Sequence, residues 1–587
     1  MALPADQYVR ALLQSLWQGG VRHAVVSPGS RNTPLTNALT APGSPFRLWL
    51  HLDERSAGYF ALGMARQTGE PVMVLCTSGT AAANYLPAAV EARISRIPLI
   101  ILTADRPPEA RDVGAAQTVD QVGLFGSHVK WSQDMPVADA GALDELVRFA
   151  RTAGARAASV ATEVPAGPVH LNVPFREPLL EAGNPPPILE ETAVTRQALP
   201  PAPPQPGVVE RLASQVAGRR GLIVCGPESA GLPAAEVAAL AAVLGWPVIA
   251  DPLSGLRTGD HDQTHVIDSV DAIIREPLFA SAAAPEVVLR FGAQPTCKPF
   301  NTWLSGQRGV LRLLVDPAAG GTSGWRDPDL QSDEAVTADP GALCAALAAA
   351  RPAAAPAGWA ALWRDANAAA RAAMREAIDA LDEPFEGRAV LDLAAALPDG
   401  ATLVAGNSMP VRDIDSFFAN TSKRIRIVGT RGASGIDGVV SGAVGAAAAS
   451  GGPVALLIGD LSFFHDLNGL WPVGRYGLDL TVLLVNNNGG GIFHFLPQRG
   501  AVPDRFEDWW GTPHGLDLAH AVALHRGRHT VLEAGDQYRA VAEALARPGL
   551  DVLELRTERD RNVALHRQVW ERAAAAVRDA MAGTRAS

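Results

Sequence analysis

Asp460 and Asn487 are the residues of this sequence best suited to hold a cation against a phosphate. They stand in Gly459-Asp460-Leu461-Ser462 and in Asn486-Asn487-Asn488-Gly489. Each tetrapeptide follows an apolar run, Val454-Ala455-Leu456-Leu457-Ile458 and Leu480-Thr481-Val482-Leu483-Leu484-Val485, and each run reads as a buried strand. A carboxylate and a carboxamide thus emerge at the carboxyl ends of strands, where open α/β sheets place their ligands. Such oxygens suit a hard divalent cation, Mg²⁺ or Mn²⁺, that shares its remaining positions with phosphate oxygens. Gly489 lets the backbone approach closely and offer its carbonyl.

A second candidate lies far upstream. His51-Leu52-Asp53-Glu54-Arg55-Ser56-Ala57-Gly58 opens a helical pattern that continues to Ala65. A glutamate in the first turn is favoured by the helix dipole. If it is also buried against apolar walls, its pKa rises and it can hold a proton near neutral pH. Four arginines complete the set: Arg31 after Ser27-Pro28-Gly29-Ser30, Arg106 after Thr103-Ala104-Asp105, Arg412 in Gly406-Asn407-Ser408-Met409-Pro410-Val411-Arg412-Asp413, and Arg431 in Gly429-Thr430-Arg431-Gly432. Each sits just past a predicted strand. Arginine matches planar carboxylates bidentately; a single arginine in such a loop is more often a surface ion pair, but four at strand ends in an acidic chain are harder to read that way.

Short apolar strands alternate with helical patterns along the whole chain. The first block has Ala24-Val25-Val26, Val72-Met73-Val74-Leu75, Leu99-Ile100-Ile101-Leu102 and Val169-His170-Leu171-Asn172-Val173. The middle has Leu222-Ile223-Val224-Cys225, Pro247-Val248-Ile249-Ala250, Val287-Val288-Leu289-Arg290-Phe291 and Leu311-Arg312-Leu313-Leu314-Val315. The last adds Leu403-Val404-Ala405, Ile425-Arg426-Ile427-Val428 and Val552-Leu553-Glu554-Leu555 to the two strands above. Uniformly apolar strands between helices imply parallel sheets covered on both faces. The fold class expected is α/β, with three doubly wound parallel-sheet domains at residues 1–183, 207–350 and 358–587. Proline-rich linkers, 184–206 and 351–357, divide them.

Bulk properties exclude several classes. The 587 residues exceed what one core supports. Hydrophobic residues at 48% against 19% charged describe a globular chain, not a disordered one. The net charge of −11 argues against a nucleic-acid surface. Cys76, Cys225, Cys297 and Cys344 have no metal-ligand spacing and suggest no disulfide framework, which fits a reducing cytoplasm. The first residues lack a basic and apolar leader pattern, so no signal peptide is expected. Residues 439–459 carry no charge, but they are rich in Gly, Ala and Ser and are broken by Pro453. They read as a buried helix over about 440–449 followed by a strand, with no membrane insertion.

The Gly-Asp and Asn-Asn pair resembles the diphosphate–metal motif of thiamin-diphosphate enzymes, with Leu461 where that motif usually has glycine. Glu54 stands where those enzymes carry the glutamate that faces the aminopyrimidine ring. The order, pyrimidine-binding domain first and diphosphate-binding domain last, is that of the decarboxylase and carboligase branch. Together with the segments around Arg31, Arg106, Gln117, Arg412, Arg431 and Gly489-Gly490-Gly491-Ile492-Phe493, the chain resembles, over essentially its whole length, the 2-succinyl-5-enolpyruvyl-6-hydroxy-3-cyclohexene-1-carboxylate synthases, the MenD family of menaquinone biosynthesis.

That resemblance implies decarboxylation of 2-oxoglutarate and conjugate addition of the remaining fragment to isochorismate. The cofactors implied are thiamin diphosphate and Mg²⁺ or Mn²⁺. By the same resemblance Asp460, Asn487 and the Gly489 carbonyl hold the metal. Glu54, Ser408, Ile436, Leu461, Ser462, Gly490 and Ile492 join those three around the cofactor. Arg412, Arg431 and Ser408 take the 2-oxoglutarate-derived part. Ser30, Arg31, Arg106, Gln117 and Lys298 meet isochorismate, although Lys298 reads equally well as a solvated surface residue. Ile492, Phe493 and Leu496 form an apolar wall, although they read equally well as buried core packing, as Ile436 does. Glu54, Asn407 and Arg412 are the catalytic set. The family places its cofactor between the first domain of one subunit and the last of another, so a homodimer or homotetramer is implied. Two other readings compete: another thiamin carboligase or 2-oxoacid decarboxylase with the same fold, and a non-catalytic nucleotide-binding or regulatory protein built from doubly wound sheets.

Overall fold

Eighteen strands form three six-stranded parallel sheets in the computed structural model, which describes residues 4–180, 188, 201–227, 232–318, 325–533, 535 and 537–586. The first sheet contains β1 (His23–Val26), β2 (Arg47–Leu50), β3 (Val72–Cys76), β4 (Leu99–Asp105), β5 (Trp131–Asp134) and β6 (Val169–Pro174), in the order 2-1-3-4-6-5. The second contains β7 (Gly221–Cys225), β8 (Val248–Ala250), β9 (Val266–Ile267), β10 (Val287–Phe291), β11 (Leu311–Val315) and β12 (Glu334–Val336), in the order 12-11-10-7-8-9. The third contains β13 (Thr402–Ala405), β14 (Arg426–Gly429), β15 (Val454–Gly459), β16 (Leu480–Asn486), β17 (Arg528–Val531) and β18 (Leu550–Arg556), in the order 14-13-15-16-18-17.

The first and third sheets have the same winding, strand for strand. Both reverse direction between their first and third strands, and such a switch point opens a crevice at the carboxyl ends. The middle sheet has the order of the dinucleotide-binding folds. The central strands are dry: β3 and β4 are buried at every position, and β15 and β16 at all but the last. The strands that hydrophobic runs do not reveal, β2, β5, β9, β12 and β17, all lie at sheet edges. They are only two to four residues long or carry polar side chains. Short, charged edges protect a sheet from pairing with another chain, and that duty erases their apolar signature.

Two compact units divide the chain: Met1–Pro200 with Thr430–Ser450 and His465–Leu478, and Pro201–Gly429 with Gly451–Phe464 and Asp479–Ser587. Most of the linker 184–206 lies outside the described residues, whereas 351–357 forms an irregular connection. The stretch without charge is a helix, Val439–Ala449, running on to β15. Among the described residues no helix is long and apolar enough to cross a membrane. A long helix spans Arg559–Ala586.

In the first unit the helix Val439–Ala449 packs on the helix Glu54–Thr68. Glycines set the crossing. A Cβ on Gly63 would lie 2.0 Å from the Gly442 carbonyl oxygen, and one on Gly445 would lie 2.0 Å from that of Phe60. Main chain meets main chain there, and no side chain can yield. Gly63→Ala or Gly445→Ala is therefore expected to destabilise this unit by about 1–3 kcal/mol, as overpacked sites do. Thermal melting measures this, and unaltered melting of both variants would contradict the tight crossing.

Candidate functional site

In the second unit three loops meet at the carboxyl ends of β13, β15 and β16. Asp460 follows β15 directly and is 2% exposed. Its Oδ1 accepts the Leu461 N–H at 2.6 Å and its Oδ2 accepts the Gly489 N–H at 2.9 Å. The ring of His514 brings Nε2 to 3.2 Å from the same Oδ2. Its Nδ1 accepts the Leu516 N–H at 3.0 Å, which leaves the ring proton on Nε2. Burial pushes the Asp460 carboxyl above its usual range despite these donors.

Asn487, at the end of β16, is also buried. Its Nδ2 donates to Glu386 Oε1 at 3.2 Å, while its Oδ1 is buried with no hydrogen-bond partner. An oxygen left bare in a native interior calls for an explanation, and a bound cation provides one. Gly489 has φ 143°, and a Cβ there would lie 2.0 Å from the Gly511 carbonyl oxygen. Only glycine fits. Gly490 donates its N–H to that same carbonyl at 2.7 Å. Asn488, at φ 57°, accepts the His514 and Gly515 N–H groups with its side chain. Among the described residues no three His, Cys, Asp or Glu side chains gather as a metal site. The donors that fit a cation here are one carboxylate, one carboxamide oxygen and backbone carbonyl, a set for a hard ion completed by phosphate.

The turn after β13 carries Asn407, Ser408 and Arg412. Ser408 has φ 70°, unusual for a residue with a side chain, and its carbonyl accepts the Arg412 guanidinium. Asn407 and Ser462 are buried, while Arg412, Leu461 and Ser408 are half-buried. Ile492, Phe493 and Leu496 lie on or just beyond the turn Gly491–Phe495 and are half-buried, so they are not core residues. Lys298 stands exposed at the start of the helix Lys298–Ser305.

In the first unit Glu54 is the first residue of its helix. Asp53 caps it, accepting the Arg55 N–H at 2.9 Å and the Ser56 N–H at 3.4 Å. Asp53 also accepts Asn468 Nδ2 at 3.1 Å. Burial, with the charge of Asp53 beside it, lifts the Glu54 carboxyl above its ordinary value. His51 nearby is buried, its Nε2 lacks a partner, and burial pushes its ring down to about 3.

Arg31 and Arg106 converge at the ends of β1, β3 and β4. The Arg31 N–H donates to Thr77 Oγ1 at 3.3 Å, and its guanidinium donates to the Phe175 carbonyl at 3.1 Å and to Glu177 at 3.3 Å. Arg106 donates to Ser78 Oγ at 2.7 Å and to the Gln117 carbonyl. Gln117, exposed and at φ 55°, donates Nε2 to the Ser78 carbonyl at 3.0 Å. Burial and then the charge of Arg31 lower the Arg106 pKa, so the two cations feel each other. Glu177 pairs with Arg31, and Ser30 beside it is exposed.

Arg431 and Ile436 occupy a loop of the same unit. Glu91, 1% exposed, accepts the Gly432 N–H at 3.0 Å and the Ala433 N–H at 2.6 Å and so pins that loop. Tyr59 adds a bond to Asp437 at 2.6 Å. Ile436 is 39% exposed, so it is not a core residue.

Sequence reasoning missed Glu386, His514, Glu91, His566 and Arg559. Arg559 donates to the carbonyls of Asn487, at 2.8 Å, and Asn488, and to His494 Nε2 at 2.9 Å. It follows β18, so the strand-end rule that selected the other arginines would have found it. Glu386 is pushed up to about 7 by burial and then by Asp413. His566, fully buried, bonds Asp413 at 3.0 Å. Burial favours its neutral ring, but Asp413, together with Glu386 and the Asn562 carbonyl, outweighs burial and raises its pKa. No local pattern marks these partners, because their meeting is purely tertiary.

Comparison with known proteins bears on this arrangement. The family described as thiamine pyrophosphate enzyme, N-terminal TPP binding domain, matches residues 7–124. The middle domain of thiamine pyrophosphate enzymes matches 198–404, and their C-terminal TPP binding domain matches 417–555. A 2-succinyl-5-enolpyruvyl-6-hydroxy-3-cyclohexene-1-carboxylate synthase of Geobacillus kaustophilus is 48% identical over 98% of this chain and 99% of its own length. The protein of that name from Chloroflexus aurantiacus is 44% identical over 96% and 95%. The crystal structure of benzoylformate decarboxylase from Polynucleobacter necessarius matches with a TM-score of 0.70 at 20% identity, covering 94% of this chain and 98% of that one, a likeness of fold alone.

Proposed function

This chain belongs to the thiamine pyrophosphate enzymes and, among them, to the 2-succinyl-5-enolpyruvyl-6-hydroxy-3-cyclohexene-1-carboxylate synthase family, and from that premise we propose how its own residues divide the work. It is a transferase of menaquinone biosynthesis that decarboxylates 2-oxoglutarate and joins the remaining fragment to isochorismate. Thiamin diphosphate, when bound, supplies the electron sink that makes loss of CO₂ from a 2-oxo acid feasible.

Asp460, the bare Oδ1 of Asn487 and the Gly489 carbonyl hold the Mg²⁺ or Mn²⁺ that anchors the diphosphate, with Leu461, Ser462 and Gly490 lining its loop. Glu54, its pKa raised by burial, holds a proton toward the aminopyrimidine. Ser408, Ile436 and Ile492 complete the cofactor's surroundings, and Asn407 stands near the reacting centre. Arg412 and Arg431 with Ser408 bind the 2-oxoglutarate-derived carboxylates. Ser30, Arg31, Arg106, Gln117 and Lys298 bind isochorismate against the wall of Ile492, Phe493 and Leu496. Fixing both partners by charge supplies orientation as well as affinity. The active species is a homodimer or homotetramer working in the cytoplasm.

The observation that supports this reading best is the loop pair after β15 and β16, where a buried carboxylate and an unpartnered amide oxygen flank a glycine that admits no side chain. The test is a coupled assay with purified protein, thiamin diphosphate and Mg²⁺. CO₂ release from 2-oxoglutarate is expected together with consumption of isochorismate, and omission of the metal is expected to abolish both. Turnover of pyruvate alone, with none on the substrate pair, would overturn the substrate assignment.

A further inference from the structure

We propose that Glu386 is a positioning residue that decides which end of the Asn487 carboxamide faces the metal; the proposal rests on the reading of Asn487 as a ligand. A carboxamide has an oxygen at one end and a nitrogen of similar size at the other, and only the oxygen can coordinate a cation. Shape alone does not choose between the two orientations. Here Glu386, 2% exposed and the first residue of the helix Glu386–Ala396, places Oε1 at 3.2 Å from Nδ2. The same Oε1 accepts the Thr557 hydroxyl at 2.8 Å, which holds it in place. Gly491 leaves room on that side, since a Cβ there would lie 2.6 Å from Nδ2. Arg559 fixes the main-chain carbonyl of Asn487 at 2.8 Å, so rotation of the amide is the remaining freedom. Turning the amide over would set its oxygen against the Glu386 oxygen, acceptor against acceptor, and would lose the hydrogen bond. Glu386 thereby keeps Oδ1 free and directed away from itself. Outer-sphere partners of this kind change metal affinity by about 10–100-fold.

The experiment titrates Mn²⁺ into the full-length protein saturated with thiamin diphosphate and reads free Mn²⁺ by its paramagnetic resonance signal. Glu386→Ala is expected to weaken Mn²⁺ binding by about 10–100-fold. Glu386→Met, which fills the space and offers no strong acceptor, is expected to do the same and serves if the alanine variant folds poorly. Glu386→Gln keeps an oxygen for Nδ2 and is expected to bind close to wild type. Asn487→Asp alone sets two carboxylates together and should weaken binding. Combined with Glu386→Ala it should restore binding, because a carboxylate presents oxygen at either end. A loss in Glu386→Gln as large as in Glu386→Met, or no recovery in the double variant, would overturn the proposal. Wild-type binding by Glu386→Ala while Asn487→Ala binds weakly would overturn it and leave Asn487 a ligand. Wild-type binding by Asn487→Ala would overturn the ligand assignment itself.

Discussion

The Glu54→Gln protein is expected to fold, to take up thiamin diphosphate and Mg²⁺ with near-normal affinity, and to lose roughly 10²–10⁴-fold of its turnover, the usual contribution of a positioned acid or base. The substitution keeps the shape and one hydrogen-bonding oxygen and removes only the capacity to exchange a proton. The helix cap does not use that carboxyl. The helix is capped by Asp53, which makes the bonds to Arg55 and Ser56, and Arg55 reaches the His465 carbonyl at 2.8 Å. The sign of the stability effect follows from the raised pKa. A carboxyl whose folded-state pKa lies above its unfolded value contributes stability that is fully present below the unfolded pKa and is lost as pH rises through the folded one. Glutamine does not ionise, so the variant should be at least as stable as wild type at neutral and alkaline pH. Steady-state kinetics, calorimetric titration of the cofactor and melting curves at several pH values check the three parts. Turnover within a few-fold of wild type would remove Glu54 from the reaction.

Asp460→Asn should give the other large effect, one that shows in the loaded protein and not in the free one. In the free protein the aspartate is buried, and burial already works against its ionised form. Asparagine buries no charge, but its single oxygen can serve only one of the Leu461 and Gly489 N–H groups, which Asp460 binds with separate oxygens. In the metal-free variant the relief of a buried charge is set against one N–H left without its acceptor, and melting close to the wild-type temperature is expected. With Mg²⁺ and thiamin diphosphate the wild type should melt well above the variant. One unit charge at contact distance contributes about 4 kcal/mol at the effective dielectric of a protein surface, and part of it is offset by desolvation. A loss of cofactor and metal affinity of about 10²-fold or more follows. Ligand binding raises apparent stability by mass action, so the melting shift on adding metal and cofactor should shrink sharply. Melting curves with and without both ligands make the measurement. Equal shifts in the two proteins would mean that Asp460 is not a ligand.

Edge strands show where the fold was legible from the chain. The interior strands β3, β4, β15 and β16 lie buried among parallel neighbours, and such strands must be apolar at nearly every position, so their runs stand out. β5 and β17 pair on one side only and carry Ser132, Gln133, Arg528 and His529, which makes them indistinguishable from loops before pairing is known. The candidate residues divide on similar lines. Asp460, Asn487, Arg31, Arg106 and Arg412 each follow a strand closely, and that placement is a local property which hydrophobic patterning reveals. Glu386, Glu91 and His514 are defined by which residue they meet far away in sequence, and no periodicity records such a meeting.

The amino-acid order by itself determined the α/β class, the succession of strands and helices, and the loops from which chemistry emerges, because alternating burial and turn chemistry act over a few neighbouring residues. Tertiary structure alone decided the matching order of the first and third sheets, the glycine contact between the Glu54 helix and Val439–Ala449, and the partners that set each functional group's orientation and proton affinity. Those outcomes depend on desolvation and on hydrogen bonds between distant segments, and both exist only once the chain has closed on itself.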